Sequence, residues 1–326
     1  MHWPSKQLFL GEDHITALAR RCRPAFRAAC DAMRIDNDLS PLLETLYLPL
    51  SAWLRRARDT ESRAQVVGVC GAQGSGKSTF CRLLGTVMRE AFDDVAVALS
   101  IDDIYETRER REQLARDIHP LFVTRGVPGT HDVALGLATI DRLVSLRAGE
   151  AVMLPVFDKA VDTRLPREKW KQHRGPVDTL LFEGWCVGAV PQSDAALIDP
   201  INRLEREEDP DRAWRRTVNE RLRGDYQELF ARIDILILLR VEGMHRVFEW
   251  RRLQEHKLAD AAVADSSGAR KRIMTDEQVD RFIMHYERLT RHILDEMPSR
   301  ADIVFDLDGS HSAASVHINN PIGECL

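Results

Sequence analysis

From residue 64 onward, short unbroken apolar runs alternate with longer stretches whose apolar residues recur every three or four positions. The runs are Val66–Cys70, Val95–Leu99, Val152–Val156, Thr179–Phe182, Ile233–Leu239 and Ile303–Phe305. Between them, Trp214, Val218, Leu222 and Leu229 fall on one helical face, and Val279, Phe282, Ile283, Tyr286, Leu289 and Ile293 fall on another. Thr275, with Gln278 three residues on, forms a capping box that starts the last helix. Strands with no polar alternation are buried on both faces, so helices must cover a parallel sheet from both sides. The pattern predicts one doubly wound α/β domain over residues 64–308.

Outside that span the pattern changes. Residues 1–63 carry no strand signal and read as a helical N-terminal extension, with apolar residues at mixed spacing in Leu39–Leu54 followed by the basic "RRARD". Such an extension packs beside the main domain or serves as a partner-binding arm. Residues 309–326 are polar and rich in Ser and Asn, and are expected to form a loosely ordered tail.

Composition narrows the classes. The 326 residues are 44% hydrophobic and 30% charged, an ordinary soluble balance. A net charge of -5 argues against a general nucleic-acid binder, which carries a basic excess. No apolar run approaches the roughly 18 residues of a membrane span, and the start "MHWPSKQLFLGEDH" lacks a signal-peptide core. The six cysteines form no CxxC pair and read as reduced thiols, so a cytoplasmic location is expected.

Chemistry enters directly after the first strand. "GAQGSGKST", Gly71 to Thr79, fits G-x-x-x-x-G-K-[ST] between an apolar strand and an amphipathic segment, the context this motif requires. Glycines 71, 74 and 76 let backbone N–H groups face phosphate oxygens, and the following helix aims its positive end at the same anion. The cradle Gly71, Ala72, Gln73, Gly74, Ser75, Gly76, Lys77, Ser78 and Thr79 is thus a nucleotide site. Lys77 would reach the β- and γ-phosphates, and Ser78 would offer its hydroxyl to Mg²⁺. Neither an N-K-x-D guanine-reading segment nor an L-S-G-G-Q segment occurs, which argues against a GTPase and against an ABC-type ATPase.

Two strand ends deliver acids. "TLLFEGW" places Glu183 after an apolar run, where a carboxylate can orient the Mg²⁺ shell or begin a helix. "ALSIDDIYET" places Asp102 and Asp103 after another, where they could be a helix cap, a metal site or a catalytic base. The charged "RERREQLARD" that follows reads as a solvated helix face with i,i+4 pairs.

In order, the P-loop, "SIDDIY", "RGVPGTHD", "LPVFDKAVDTR" and "LLFEGW" resemble the phosphoribulokinase/uridine kinase group of P-loop kinases, and within it the plant-type D-glycerate 3-kinases. "VFEWRRLQEHKL" and "MTDEQVDRFIMHYERLTRHIL" extend the likeness, which covers residues 64–308 and is weaker at 256–272, where the spacing suggests an insertion. The resemblance implies ATP- and Mg²⁺-dependent phosphorylation of a small hydroxy acid, most simply D-glycerate. It implies that Asp102 is the catalytic carboxylate and a metal neighbour with Ser78 and Glu183, assisted by Asp103 and followed by Tyr105. It places Arg125, His131, Asp158, Lys159 and Arg164 around the acceptor, and Arg251 and Arg252 on a lid over the phosphates. An acceptor bearing a carboxylate needs cations, and Arg125, His131, Lys159 and Arg164 are the candidates. Another small acceptor, or a nucleotide-binding regulator that has lost its acceptor, is the alternative.

Overall fold

The central sheet is a product of the apolar runs. In the computed structural model, which describes residues 3–35, 37–58, 63–264 and 274–322 (side chains of 257–264 excepted), β1 (Gln65–Gly71) is buried along its whole length. It lies between β7 (Thr179–Gly184) and β8 (Ile235–Arg240), both parallel to it. β2 (Ala96–Ser100) pairs parallel with β7, and β9 (Ile303–Leu307) parallel with β8. β10 (Ala313–Ile318) completes a six-stranded order β10-β9-β8-β1-β7-β2 as the one antiparallel edge.

Helices cover both faces, as an all-buried sheet requires. In chain order they are α1 (Glu12–Ala32), α2 (Ser40–Leu42), α3 (Leu48–Ala57), α4 (Lys77–Phe92), α5 (Arg108–Asp117), α6 (Val133–Val144), α7 (Arg203–Glu208), α8 (Ala213–Arg223), α9 (Asp225–Phe230), α10 (Met244–Ala264) and α11 (Asp276–Glu296). α11 opens with the Thr275–Gln278 capping box. One core joins α6, α9 and α11 to Val66, Cys70, Leu180, Phe182 and Leu238. The other joins α1, α3 and α4 to Val67, Val69, Ile237 and Phe305. The N-terminal helices are therefore half of a core: Phe26, Leu43, Leu48, Leu50 and Leu54 are each at most 1% exposed. No helix among the described residues is long and apolar enough to cross a membrane, and five described cysteines carry free thiols.

Two expectations are corrected. The run at Val152–Val156 does not join the main sheet; its strand, β3 (Ala151–Leu154), pairs antiparallel with β6 (Lys171–Arg174) in a separate ribbon. It is half-buried, and Pro155 ends it because proline cannot donate to a ladder. The polar tail is not loosely ordered over 313–318, where it forms β10; Ala313 and Val316 face inward and the polar side chains point out, so a one-sided edge strand hides behind a polar composition. A second small hairpin joins β4 (Phe157–Asp158) to β5 (Thr163–Arg164). The second part of the suspected insertion, 265–272, lies outside the described residues, as does the end of the tail from 323.

Candidate active site

The loop between β1 and α4 is shaped for an anion. Gly74 and Gly76 take φ of 81° and 83°, the left-handed region that glycine occupies without strain. A Cβ on Gly71 would stand 2.7 Å from Ser75 Oγ, and one on Gly74 would stand 3.0 Å from Trp250 Cβ. Lys77 Nζ donates to the Ala72 carbonyl at 3.0 Å, folding the ammonium back over the loop. The Gln73 amide and Ser75 Oγ are buried without partners among the described residues. Buried polar atoms left unpaired in a crowded glycine loop fit a phosphate chain, which supplies the missing acceptors.

Adjacent strand ends bring the acids to that loop. β7 pairs with β1, and Val69 stands opposite Glu183, which puts the Glu183 carboxylate beside α4. Ser78 Oγ donates to Glu183 Oε1 at 2.7 Å. β2 lies on the other side of β7, with Ser100 opposite Glu183, and Asp102 follows two residues later on a 3-10 turn, Ile101–Ile104. Hydroxyl and carboxylate oxygens are the ligands Mg²⁺ prefers, so Ser78, Glu183 and Asp102 fit the ion.

Neither aspartate of the adjacent pair is a cap. Ser100 caps the 3-10 turn and Thr107 caps α5, which frees both carboxylates for other work. Burial disfavours charge on Asp102, but the Lys159 ammonium, 2.6 Å from Oδ2, and a hydrogen bond from Tyr105 hold its carboxyl below the ordinary range. Asp103 goes the other way: burial and the neighbouring Asp102 charge push it up, while its Oδ1 accepts the Phe157 N–H at 3.3 Å. The carboxylates of two adjacent residues thus divide into one held ionised against Lys159 and one holding the hairpin.

The hairpin β4–β5 and the loop 119–132 stand around Tyr105 and Asp102. Arg164 pairs with Asp132 at 3.0 Å and also donates to the Tyr105 carbonyl. Arg125 pairs with Asp162 and lies over the Phe157 ring at 5.6 Å. Asp158 accepts the Ala160 N–H at 2.8 Å and shapes the turn. His131 stacks on Tyr105 at 4.5 Å and is 5% exposed; burial pushes its pKa down to about 3, against the pull of Asp102. Burial thus outweighs the Asp102 charge and favours the neutral imidazole, against the cationic role expected from the sequence.

Other placements also differ from expectation. Arg252 is committed to Asp280 of α11, through Nε at 3.0 Å and Nη2 at 2.6 Å, and the groups packed on Gly74 are Trp250 and the Arg251 backbone. The "RERREQLARD" helix is not purely solvated: Arg111 is buried among Glu106, Val123 and Asp162. Tyr226, Tyr286 and Trp185 were open or unnoticed in the sequence, yet each bonds the pocket loop, at Gly129 N, Arg125 O and Gly126 O. Their aromatic character looked like core packing, and only the tertiary hydrogen bonds distinguish them.

A cavity of about 310 Å³ opens beside the loop. Ser75, Gly76 and Thr79 form its floor and Arg34, Asn37 and Leu39 its opposite wall, with His311 at the β9–β10 turn. That size and mixed lining suit a small molecule.

The chain is similar to known kinases. No family model matches the chain. A Schizosaccharomyces pombe protein described as the uncharacterized kinase mug58 is 32% identical over 253 residues, 75% of this chain and 86% of its own length. The chloroplastic D-glycerate 3-kinase of Arabidopsis thaliana is 28% identical over 230 residues, 68% of this chain and 46% of that one. The solved D-glycerate 3-kinase from Cryptococcus neoformans var. grubii superposes with a TM-score of 0.67 and 25% identity, covering 83% of this chain and 96% of that one.

Proposed function

The chain belongs to the D-glycerate 3-kinase family of P-loop small-molecule kinases, and from that premise we propose that it transfers the γ-phosphoryl group of ATP to a hydroxyl of D-glycerate, giving 3-phosphoglycerate and ADP. The observation that carries the proposal is the Asp102–Lys159 pair at a strand end beside the Ser78–Glu183 pair of the phosphate loop.

In this reading the acceptor oxygen forms a bond to the γ-phosphorus as the bond to the β-phosphate oxygen breaks. Asp102, ionised because Lys159 stabilises its charge, orients the hydroxyl and receives its proton as the new bond completes. A base of low pKa suits a transition state in which the nucleophile is still weakly bonded. Ser78 and Glu183 would hold Mg²⁺, which supplies charge neutralisation at the phosphates. Lys77 leaves Ala72 for the β- and γ-oxygens. The cavity beside Thr79 receives the purine, with Asn37 and His311 at its polar edge. Arg125 and Arg164 offer guanidinium groups to the acceptor's carboxylate. The free thiols support a reducing compartment such as the cytoplasm.

The test is ADP release from ATP and Mg²⁺ with D-glycerate, with L-glycerate, and with no acceptor. Stimulation by D-glycerate alone is expected, and stimulation only by a nucleoside or by pantothenate would replace the acceptor named here. Asp102→Asn should lower turnover by at least about a hundredfold while ATP still binds. Equal turnover in that variant would remove Asp102 from the base role.

A further inference from the structure

Asp162 is a carboxylate to which the reaction gives no role. Asp162 sits at the tip of the β4–β5 hairpin with φ of 58°, a left-handed conformation that asparagine and aspartate tolerate better than most residues. Its Oδ1 pairs with Arg125, and its Oδ2 lies 2.9 Å from Arg111. One carboxylate therefore bridges two guanidinium groups.

The two arginines are not equivalent. Arg111 has a side chain 1% exposed, and it also donates to three carbonyls: Glu106 at 3.4 Å, Val123 at 2.6 Å and Asp162 itself at 2.7 Å. Those backbone bonds tie it to the hairpin tip whatever the Asp162 carboxylate does. Arg125 has a side chain 24% exposed, and among the described residues its guanidinium meets only the Asp162 carboxylate and the face of Phe157. Phe157 in turn meets Tyr105 edge-on at 5.2 Å, and Tyr105 bonds Asp102. Arg125 thus stands on the wall that leads to the reacting hydroxyl, with one exchangeable counter-ion.

We propose that Asp162 is a stand-in anion: it holds Arg125 over Phe157 while the acceptor site is empty, and the carboxylate of the incoming hydroxy acid displaces it. This rests on the reading of the acceptor as a hydroxy acid. On displacement Asp162 keeps its pair with Arg111, so no buried charge is stranded, and Arg125 exchanges one carboxylate for another. The exchange also makes Asp162 a specificity-determining residue. A neutral polyol offers Arg125 nothing in return for Asp162, whereas an acid replaces the lost pair in kind.

Asp162→Asn keeps the side chain's shape and its capacity to accept a hydrogen bond while removing the competing charge. The Michaelis constant for D-glycerate should fall by about threefold to fivefold, the scale of a partly exposed ion pair, with that for ATP unmoved. A side chain that only braced the hairpin would give the opposite, a rise. Arg125→Ala, which leaves the Arg111–Asp162 tie intact, should raise the Michaelis constant for D-glycerate by at least about tenfold. Melting temperatures of both variants identify any loss of folding. Turnover by the wild type with an unchanged or higher Michaelis constant in Asp162→Asn overturns the proposal and leaves the kinase reading standing. If the wild type turns over no hydroxy acid, the reading fails, and the stand-in role fails with it.

Discussion

His131 shows how a single side chain's chemistry is decided by its neighbours. The Tyr226 hydroxyl accepts the Gly129 N–H at 2.9 Å and shares a hydrogen bond of 2.6 Å with His131 Nδ1, whose direction follows the imidazole tautomer. The other ring nitrogen, Nε2, is buried and without a partner among the described residues. From the sequence, "RGVPGTHD" marked the place but suggested a cation, since neither Tyr226 nor the burial was visible there. With His131 neutral and the Asp102 carboxyl held low, neither group titrates between pH 6 and 8. The kcat/KM profile for the acceptor should be flat across that range, and a limb near 6.5 would show that His131 does protonate. Stability follows the same logic. His131 and His285 are pushed down to about 3 and about 4 by burial, so between those values and 6.5 the unfolded chain binds more protons than the native one. Stability then rises with pH, and at pH 5 each histidine costs up to about 2 kcal/mol relative to pH 7. Asp103 and Glu106, raised by burial, act in the opposite sense. The clean measurement is therefore urea unfolding of wild type against His285→Gln at both pH values. The loss from pH 7 to 5 should be smaller in the variant by about 2 kcal/mol.

At the level of elements, what was legible followed the strength of the local pattern. The five parallel strands were readable because burial on both faces leaves only apolar residues to use. β10 was not, because an edge strand with one wet face needs only Ala313 and Val316 inside. The Arg111 helix was legible in part: its exposed face carries the expected i,i+4 pair, Arg108–Glu112, but the burial of Arg111 was not visible. A charge run at helical spacing looks the same in sequence whether one of its arginines is solvated or buried, and only the loop and hairpin packed on it decide. α10 illustrates register. The resemblance implied a lid bearing Arg251 and Arg252; in the helix, Trp250 turns toward Gly74 and Arg252 toward Asp280. Arg252→Ala should accordingly change stability by no more than about 1 kcal/mol, as for an exposed ion pair. Its Michaelis constant for ATP should stay within about twofold of wild type. A tenfold rise would mean that Arg252 leaves Asp280 for the phosphates when nucleotide binds.

Across the whole molecule, the first 57 residues are where sequence said least and the structure says most. Their helical character was legible; which surface they cover was not, because mixed apolar spacing in Leu39–Leu54 does not name a partner. In the fold, Phe26, Leu43, Leu46, Leu48, Leu50, Trp53 and Leu54 close the core over Val67, Val69 and Phe80. Fully burying a side chain of this size contributes about 1.5–3 kcal/mol, so these seven together contribute about 10–20 kcal/mol, as much as the roughly 5–15 kcal/mol by which a domain is stable. A chain starting at Arg63 should therefore lack a cooperative thermal transition and bind a hydrophobic dye, rather than behave as a folded kinase without an arm. The same helices wall the cavity beside Thr79, which gives a milder probe of the link between scaffold and chemistry. Asn37 is exposed at the cavity mouth and carries no core contact, so Asn37→Ala should leave the melting temperature in place. If the purine sits where the cavity lies, that variant raises the Michaelis constant for ATP several-fold, about the worth of one hydrogen bond, and leaves the constant for the acceptor alone. An unchanged value for ATP would move the base out of this cavity and leave the N-terminal helices a purely structural role.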